Sequence, residues 1–254
     1  MKIVTLMENT SCREELCAEH GLSLYIQTQT HKMLFDAGQS GAFADNAEKL
    51  GVNLQEVEFA VLSHGHYDHS GGLQKFLEIN QHAPVYVSEY AFEPHYSANG
   101  YIGVNPALKG NSQIRFVTEA TTLVEGIALC QMDKAPMDTA GLLMEENGVR
   151  KPDDFRHEQY LLLEERGKRI LISGCSHKGI LHIVDHFRPD ILVGGFHFMK
   201  VEDEKKLEEA AKKLLEYDTV YYTGHCTGQK QYDYLKAIMG EKLHYIASGT
   251  VLDL

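Results

Sequence analysis

The sequence predicts an α/β fold, and three observations carry that expectation. Short apolar runs of strand length alternate with longer segments of helical periodicity along the chain. Potentially ligating residues stand at the carboxyl ends of four of those runs, where the loops of α/β proteins converge on one rim. The length, 254 residues, suits one domain able to bury a core without disulfides or structural metal. No internal repeat, low-complexity tract or linker interrupts the chain, so 1–254 reads as a single domain.

The elements follow in order. Met1–Leu6 and Leu22–Thr28 read as strands, the second continuing through Lys32–Phe35 into Asp36-Ala37-Gly38. Ala42–Leu50 has a helical pattern closed by Gly51, and Leu73–Asn80 a second. Val85-Tyr86-Val87 is a strand. Glu89–Ser112 is rich in Tyr, Gly, Asn and Pro and too long for an ordinary connection, so it reads as an irregular insertion covering a substrate. Ile114–Val117, Thr122–Val124 and Ile127–Gln131 are expected to open a strand-rich second half. Leu161–Leu163 and Arg169–Ser173 form a hairpin across Glu165-Arg166-Gly167-Lys168. Ile180–Phe187 reads as a helix, Asp190–Val193 as a strand and Thr219–Thr223 as another. Between the last two, Glu202–Tyr217 carries an apolar stripe of Leu207, Ala210, Ala211, Leu214 and Leu215.

The chemistry concentrates in Val61–Gly72. His64, His66, Asp68 and His69 fall within six residues, directly after the apolar run Phe59–Leu62. On an extended segment His64 and His66 point to one side and can grip one ion. Asp68 and His69 stand where the chain turns, with Gly71-Gly72 allowing a tight path onward, and can face a second ion. Later strand ends deliver Cys175 and His177, then His197, then His225. His182 and His186 lie four apart on a helix but lack the glutamate of His-Glu-x-x-His, and read as ordinary helix residues.

The His-x-His-x-Asp-His string resembles the signature of the metallo-β-lactamase superfamily, with Leu34-Phe35-Asp36-Ala37-Gly38 resembling its first motif and Gly224-His225 its last. The resemblance implies a four-layer αββα sandwich built from two similar halves, one or two metals at the edge between its sheets, and Asp36 orienting the histidine loop. Within the superfamily, five segments resemble the subgroup named for a 7,8-dihydropterin-6-methyl-4-(β-D-ribofuranosyl)aminobenzene-5′-phosphate synthase. They are Glu19-His20-Gly21-Leu22-Ser23, Leu62–His69, Gly174-Cys175-Ser176-His177, Gly194-Gly195-Phe196-His197 and Gly224-His225-Cys226-Thr227-Gly228. Cys175 stands where many superfamily hydrolases carry a metal-bridging aspartate, and a soft thiolate suits zinc or iron better than magnesium.

The expected metal ligands are therefore His64, His66, Asp68, His69, Cys175, His177 and His225. His157 rivals His177 as the third ligand of the first metal, because it precedes the Leu161 strand where other subgroups carry that histidine. One or two divalent ions are expected, zinc foremost, with iron or manganese as the other candidates. They would lower the pKa of a water towards neutrality and polarise a substrate oxygen. Asp68 would orient the nucleophile, and His197 or His20 would protonate the leaving group. Glu19, Tyr90, Tyr96, Tyr101 and His197 are the expected substrate contacts, the tyrosines offering flat surfaces to a heterocycle.

Composition narrows the function. A formal charge of −12 speaks against nucleic-acid binding, while metal ions would still draw in a small anion. No apolar run reaches membrane-spanning length, and Met1–Leu6 is too soon polar for an export signal. Five scattered cysteines (Cys12, Cys17, Cys130, Cys175, Cys226) suit a reducing cytoplasm. The expectation is a metal-dependent hydrolase or transferase acting on a small phosphorylated or pyrophosphorylated metabolite, with no nucleic-acid or membrane partner and the oligomeric state open. Its rivals are an iron enzyme handling oxygen or sulfur on the same fold, and a non-catalytic metal or ligand binder. A visible iron chromophore separates the first rival from the main reading.

Overall fold

The computed structural model describes residues 1–132 and 141–254. Contacts divide the chain into two compact units. The first comprises Met1–Glu119, Met137–Gln159 and Ala247–Leu254, the second Ala120–Pro136 and Tyr160–Ile246.

In the first unit a seven-stranded sheet runs in the order Val251–Asp253, Lys2–Met7, Ser23–Gln27, Lys32–Phe35, Phe59–Val61, Val85–Ser88 and Ile114–Val117. Pairing is antiparallel as far as Lys32–Phe35 and parallel beyond it. The parallel part is the apolar part: Phe59–Val61 is buried along its whole length, as a strand covered on both faces must be. Helices Ala42–Lys49 and Leu73–Ile79 bury Phe43, Ala47, Leu73 and Phe76 in one cluster with Leu34, Ala60 and Val85.

A second, four-stranded antiparallel sheet belongs to the same unit, in the order Val149–Pro152, Leu143–Glu146, His95–Ser97 and Gly100–Tyr101. Glu89–Ser112 is thus not irregular. It contains the hairpin His95–Ser97/Gly100–Tyr101 and the short helical turn Pro106–Gly110. Strands this short carry no local periodicity; they exist because Leu143–Glu146 pairs with them from more than forty residues away. The hairpin Leu143–Glu146/Val149–Pro152 did have a signal, Asn147-Gly148, both residues at positive φ as a two-residue turn requires.

In the second unit a seven-stranded sheet runs Leu243–Tyr245, Val220–Thr223, Ile191–Val193, Lys168–Ile172, Gln159–Glu165, Ile127–Gln131 and Thr121–Val124. The first four are parallel. Arg166 and Gly167, both at positive φ, make the tight turn expected between Gln159–Glu165 and Lys168–Ile172. Helices Ile180–Phe187, Glu204–Leu215 and Gln229–Met239 pack Ile183, Val184, Leu207, Ala211, Leu214 and Leu235 with Leu171, Leu192 and Leu243. Asp203 caps Glu204–Leu215 by accepting from the Lys205 N–H. Ile114–Val117 pairs in the first unit's sheet and does not begin the second half. Gln229–Met239 escaped the sequence pattern because it buries only Gln231, Leu235 and Met239.

Candidate metal centre

The histidine loop leaves Phe59–Val61 and enters the single helical turn Tyr67–Ser70. His64, His66, Asp68 and His69 are all buried. The ring centroids of His64 lie 4.6 Å from His66 and 4.2 Å from His69.

Asp36 organises this group. It ends Lys32–Phe35 with its backbone in the left-handed region, φ 59°, a conformation aspartate adopts more readily than most residues. Its Oδ1 accepts the Ser63 N–H at 2.7 Å. Its Oδ2 accepts the Ser63 hydroxyl and the His69 Nδ1–H, both at 2.7 Å. Ser63 spends its one proton on Asp36, so the 2.8 Å contact between Ser63 Oγ and His64 Nδ1 is donated by the histidine. Both His64 and His69 therefore carry their proton on Nδ1 and leave Nε2 unprotonated, the tautomer that a metal ligand needs. Burial, seconded by neighbouring His157, pushes the His66 pKa well below its ordinary value and keeps that imidazole neutral; Asp68 pulls the other way and loses. Neutral imidazole nitrogens beside a carboxylate suit a divalent ion such as zinc, iron or manganese, so these residues fit the group.

Asp68 Oδ2 lies 3.7 Å from His69 Nε2 and 3.3 Å from His20 Nε2. His20 is the exposed partner, with 44% of its side-chain surface accessible. The loop that carries it is pinned to the metal loop by the Leu22 N–H, which donates to the Asp68 carbonyl at 3.2 Å. Gly71 and Gly72 are needed for close approach: a Cβ on either would fall 2.1 Å from the carbonyl oxygen of Gln39 or Ala37.

The expected substrate residues are placed variously. Glu19 holds the Ser40 N–H and hydroxyl at 2.8–3.0 Å, a loop-closing role. Tyr96 and Tyr101 meet edge to face at 5.6 Å, and the Arg150 guanidinium covers Tyr96 at 3.7 Å. Tyr101 gives its hydroxyl proton to Val104 O but keeps 48% exposure. Arg156 lies 4.8 Å over Tyr90.

His157 lies in the first unit, fully buried, with Nδ1 accepting the Gly65 N–H at 2.8 Å. Two participants escaped sequence reasoning. Ser63 lay inside the Leu62–His69 segment with no role assigned to it. Asp153 stands four residues before His157, a spacing that could have flagged it. Burial works against the Asp153 charge, but His157 and His95 outweigh it and hold the carboxyl far below the usual carboxylate range.

In the second unit three strand-end loops are tied together. The Gly195 N–H donates to Gly174 O at 2.8 Å, the Phe196 N–H to Thr227 Oγ1 at 2.9 Å, and the Met199 N–H to Cys226 O at 2.9 Å. His177 and His197 meet with ring centroids 4.4 Å apart. Ser176, His197 and His225 all hold positive φ, between 51° and 59°. Left-handed backbone at non-glycine residues costs energy and clusters at functional sites, which gives these loop tips physical weight beyond their residue types. Cys175, His177 and His225 are buried, His197 partly so. His182 and His186 face solvent on Ile180–Phe187.

A model of the metallo-beta-lactamase superfamily matches residues 18–225. The chain belongs to this superfamily. Its α/β class, and with it the metallo-β-lactamase fold, is as the sequence predicts. Among solved structures of the superfamily, that of Tm1679, described as a metal-dependent hydrolase of the β-lactamase superfamily, matches with a TM-score of 0.84 and 30% identity, covering 100% of this chain and 99% of that one. The 7,8-dihydropterin-6-methyl-4-(β-D-ribofuranosyl)-aminobenzene-5′-phosphate synthase of Methanocaldococcus jannaschii is 28% identical over 288 aligned residues, 99% of this chain and 96% of that protein. The uncharacterized protein MJ0448 of the same organism is 29% identical over 242 residues, 90% of this chain and 91% of that one. Among the described residues no helix of this superfamily member is long and apolar enough to cross a membrane.

Proposed function

We propose that the protein is a metal-dependent hydrolase or transferase acting on a small anionic metabolite, phosphorylated or pyrophosphorylated. The observation that carries this reading is the shared Asp36 carboxylate, which fixes His64 and His69 in the tautomer a metal ligand needs. His66 and Asp68 complete the first unit's donors; Cys175, His177 and His225 are the second unit's candidate ligands. Zinc is the favoured ion, iron and manganese the alternatives.

When bound, one or two such ions would supply an activated water and polarise a phosphoryl or carboxyl oxygen. Asp68 accepts the proton released as the nucleophile attacks. His20, 3.3 Å from that carboxylate and half in solvent, carries the proton between Asp68 and water. His197 is the candidate donor to the leaving group. Transfer in place of hydrolysis is supported by the near full-length relative named as a synthase. The tyrosines of the four-stranded sheet suit a flat acceptor or leaving group, with Arg150 beside them to meet an anion. No disulfide joins any of the five cysteines among the described residues, which suits a reducing, cytoplasmic setting.

The deciding experiment is a panel of phosphomonoesters, phosphodiesters, thioesters, lactones and a pterin pyrophosphate, each run with zinc, manganese and iron. Turnover of phosphorylated substrates supports the reading, and transfer to an aminobenzene faster than to water selects the synthase branch. Activity confined to lactones or thioesters overturns the substrate class. An iron chromophore with redox turnover overturns the reaction class.

A further inference from the structure

Four buried residues of the first unit, His66, His95, Asp153 and His157, bring a potential donor atom each within 4.8 Å of one another. Residue types alone would make this a second cation site. The hydrogen bonds argue for a different role. The Gly65 N–H donates to His157 Nδ1 at 2.8 Å, so the proton of that ring sits on Nε2. Nε2 faces Asp153 Oδ2 at 3.4 Å. The same oxygen takes the His95 Nδ1–H at 2.8 Å, while Oδ1 accepts the Phe155 N–H at 2.8 Å. One nitrogen of His157 is thus spent on backbone and the other carries a proton towards a carboxylate. Neither is available to ligate a metal without breaking the Gly65 contact.

Gly65 lies between His64 and His66. A Cβ there would fall 2.3 Å from Ala91 O, so the loop is pressed against backbone on one side and held by His157 on the other. The hairpin that carries His95 reaches the same loop a second time: the Tyr67 N–H donates to Ile102 O and the Ile102 N–H to His95 O, both at 2.8 Å. His66 and Gly103 form an isolated antiparallel bridge beside them. Stability alone does not explain a carboxylate buried among histidines, since apolar residues of similar volume usually serve a core as well or better. His95 Nε2 is itself buried with no hydrogen-bond partner among the described residues.

We propose that His157, Asp153 and His95 are positioning residues that brace Gly65, and through it His64 and His66, and that His157 is not a metal ligand. Asp36 would then hold the metal loop through Ser63 and His69, and Asp153 would hold it through His157. The inference rests on the reading that His64 and His66 bind the metal. It assigns the four-stranded sheet a support role that its tyrosines do not require.

The test uses the full chain loaded with cobalt(II) or zinc, and reads metal per chain, the cobalt visible spectrum and affinity by chelator competition. The expected result is that His157→Ala and Asp153→Asn keep the wild-type metal count but bind roughly 10- to 100-fold more weakly with a shifted cobalt spectrum. His157→Asn places a carbonyl oxygen near the Nδ1 position, able to accept from Gly65, and is expected to restore both affinity and spectrum. Loss of one equivalent in both His157 variants would make His157 a ligand and overturn the proposal. Loss of one equivalent in His95→Ala, with His64 and His66 intact, would make the cluster a separate cation site and overturn it too. Unchanged affinity and spectrum in His157→Ala and Asp153→Asn would end the brace. His64→Ala and His66→Ala are run beside them: undiminished metal there refutes the underlying ligand reading, independently of the His157 result.

Discussion

Replacing Asp36 with asparagine tests the site most directly, because it changes charge and leaves shape. Asparagine tolerates the left-handed φ of 59°, so the strand end should survive. One carboxylate oxygen becomes an NH2, however, and either orientation sets donor against donor. With the amide nitrogen in the Oδ2 position it confronts both the Ser63 hydroxyl and the His69 Nδ1–H. Ser63 would then turn to donate to His64, moving that ring's proton to Nε2 and blocking the nitrogen meant for metal. The turned Ser63 Oγ can accept from the new amide, so one buried hydrogen bond to a charged acceptor is lost outright, that of the His69 Nδ1–H; it is worth about 1.5–3 kcal/mol, and metal-free stability should fall by about that much. Metal affinity should fall by at least about 10- to 100-fold. Urea unfolding of the metal-free protein measures the first and competition with a chromophoric chelator the second. An Asp36→Asn protein with an unshifted urea midpoint and unweakened metal binding would refute the tautomer argument.

Four further outcomes follow from the same geometry. Gently purified protein should carry between one and two equivalents of zinc, iron or manganese by elemental analysis; a metal-free protein that takes up none on titration contradicts this. Cys175→Ser should alter metal preference or rate while His177→Ala loses a metal, and the reverse order of losses would reassign the ligands. Gly65→Ala drives a Cβ into Ala91 O and should destabilise by about 1–3 kcal/mol or more in urea, a thermal shift near zero counting against it. Because the Asp153 carboxyl is depressed in the folded state, its contribution is present above the ordinary carboxylate range and is lost on acidification. The metal-free protein's advantage over Asp153→Asn should therefore shrink below about pH 5, and an advantage that grows there is the contrary result.

Much of the candidate centre was legible because its candidate ligands are nearly consecutive. The His64–His69 string, the strand before it and Asp36 all carry their meaning within a few residues, and the long apolar periodicity of Glu204–Leu215 does the same for that helix. Asp153 and the role of His157 were not legible. Their partnership with Gly65 spans about ninety residues, and it depends on which ring nitrogen accepts a proton, a fact no spacing encodes. The four-stranded sheet failed for a related reason: its strands of two to four residues are stabilised by distant pairing, not by local propensity. Asn147-Gly148 was a readable turn signal, and weighting it would have recovered half of that sheet.

The tight backbone contacts of the metal loop bear on how this protein could change over time. At Gly65, Gly71 and Gly72 no room exists for even a methyl group, and Asp36 sits at a backbone angle that few residues accept. Gly100 and Gly148, at the tips of the two hairpins, meet nothing within 4 Å. Insertions that rebuild those turns meet no neighbour, although the glycines themselves are held by their positive φ, whereas any side chain added in the loop collides with backbone. Descendants of such a chain are free to change by lengthening the hairpins while the histidine loop stays fixed, and a laboratory library that must keep the fold should be diversified there first.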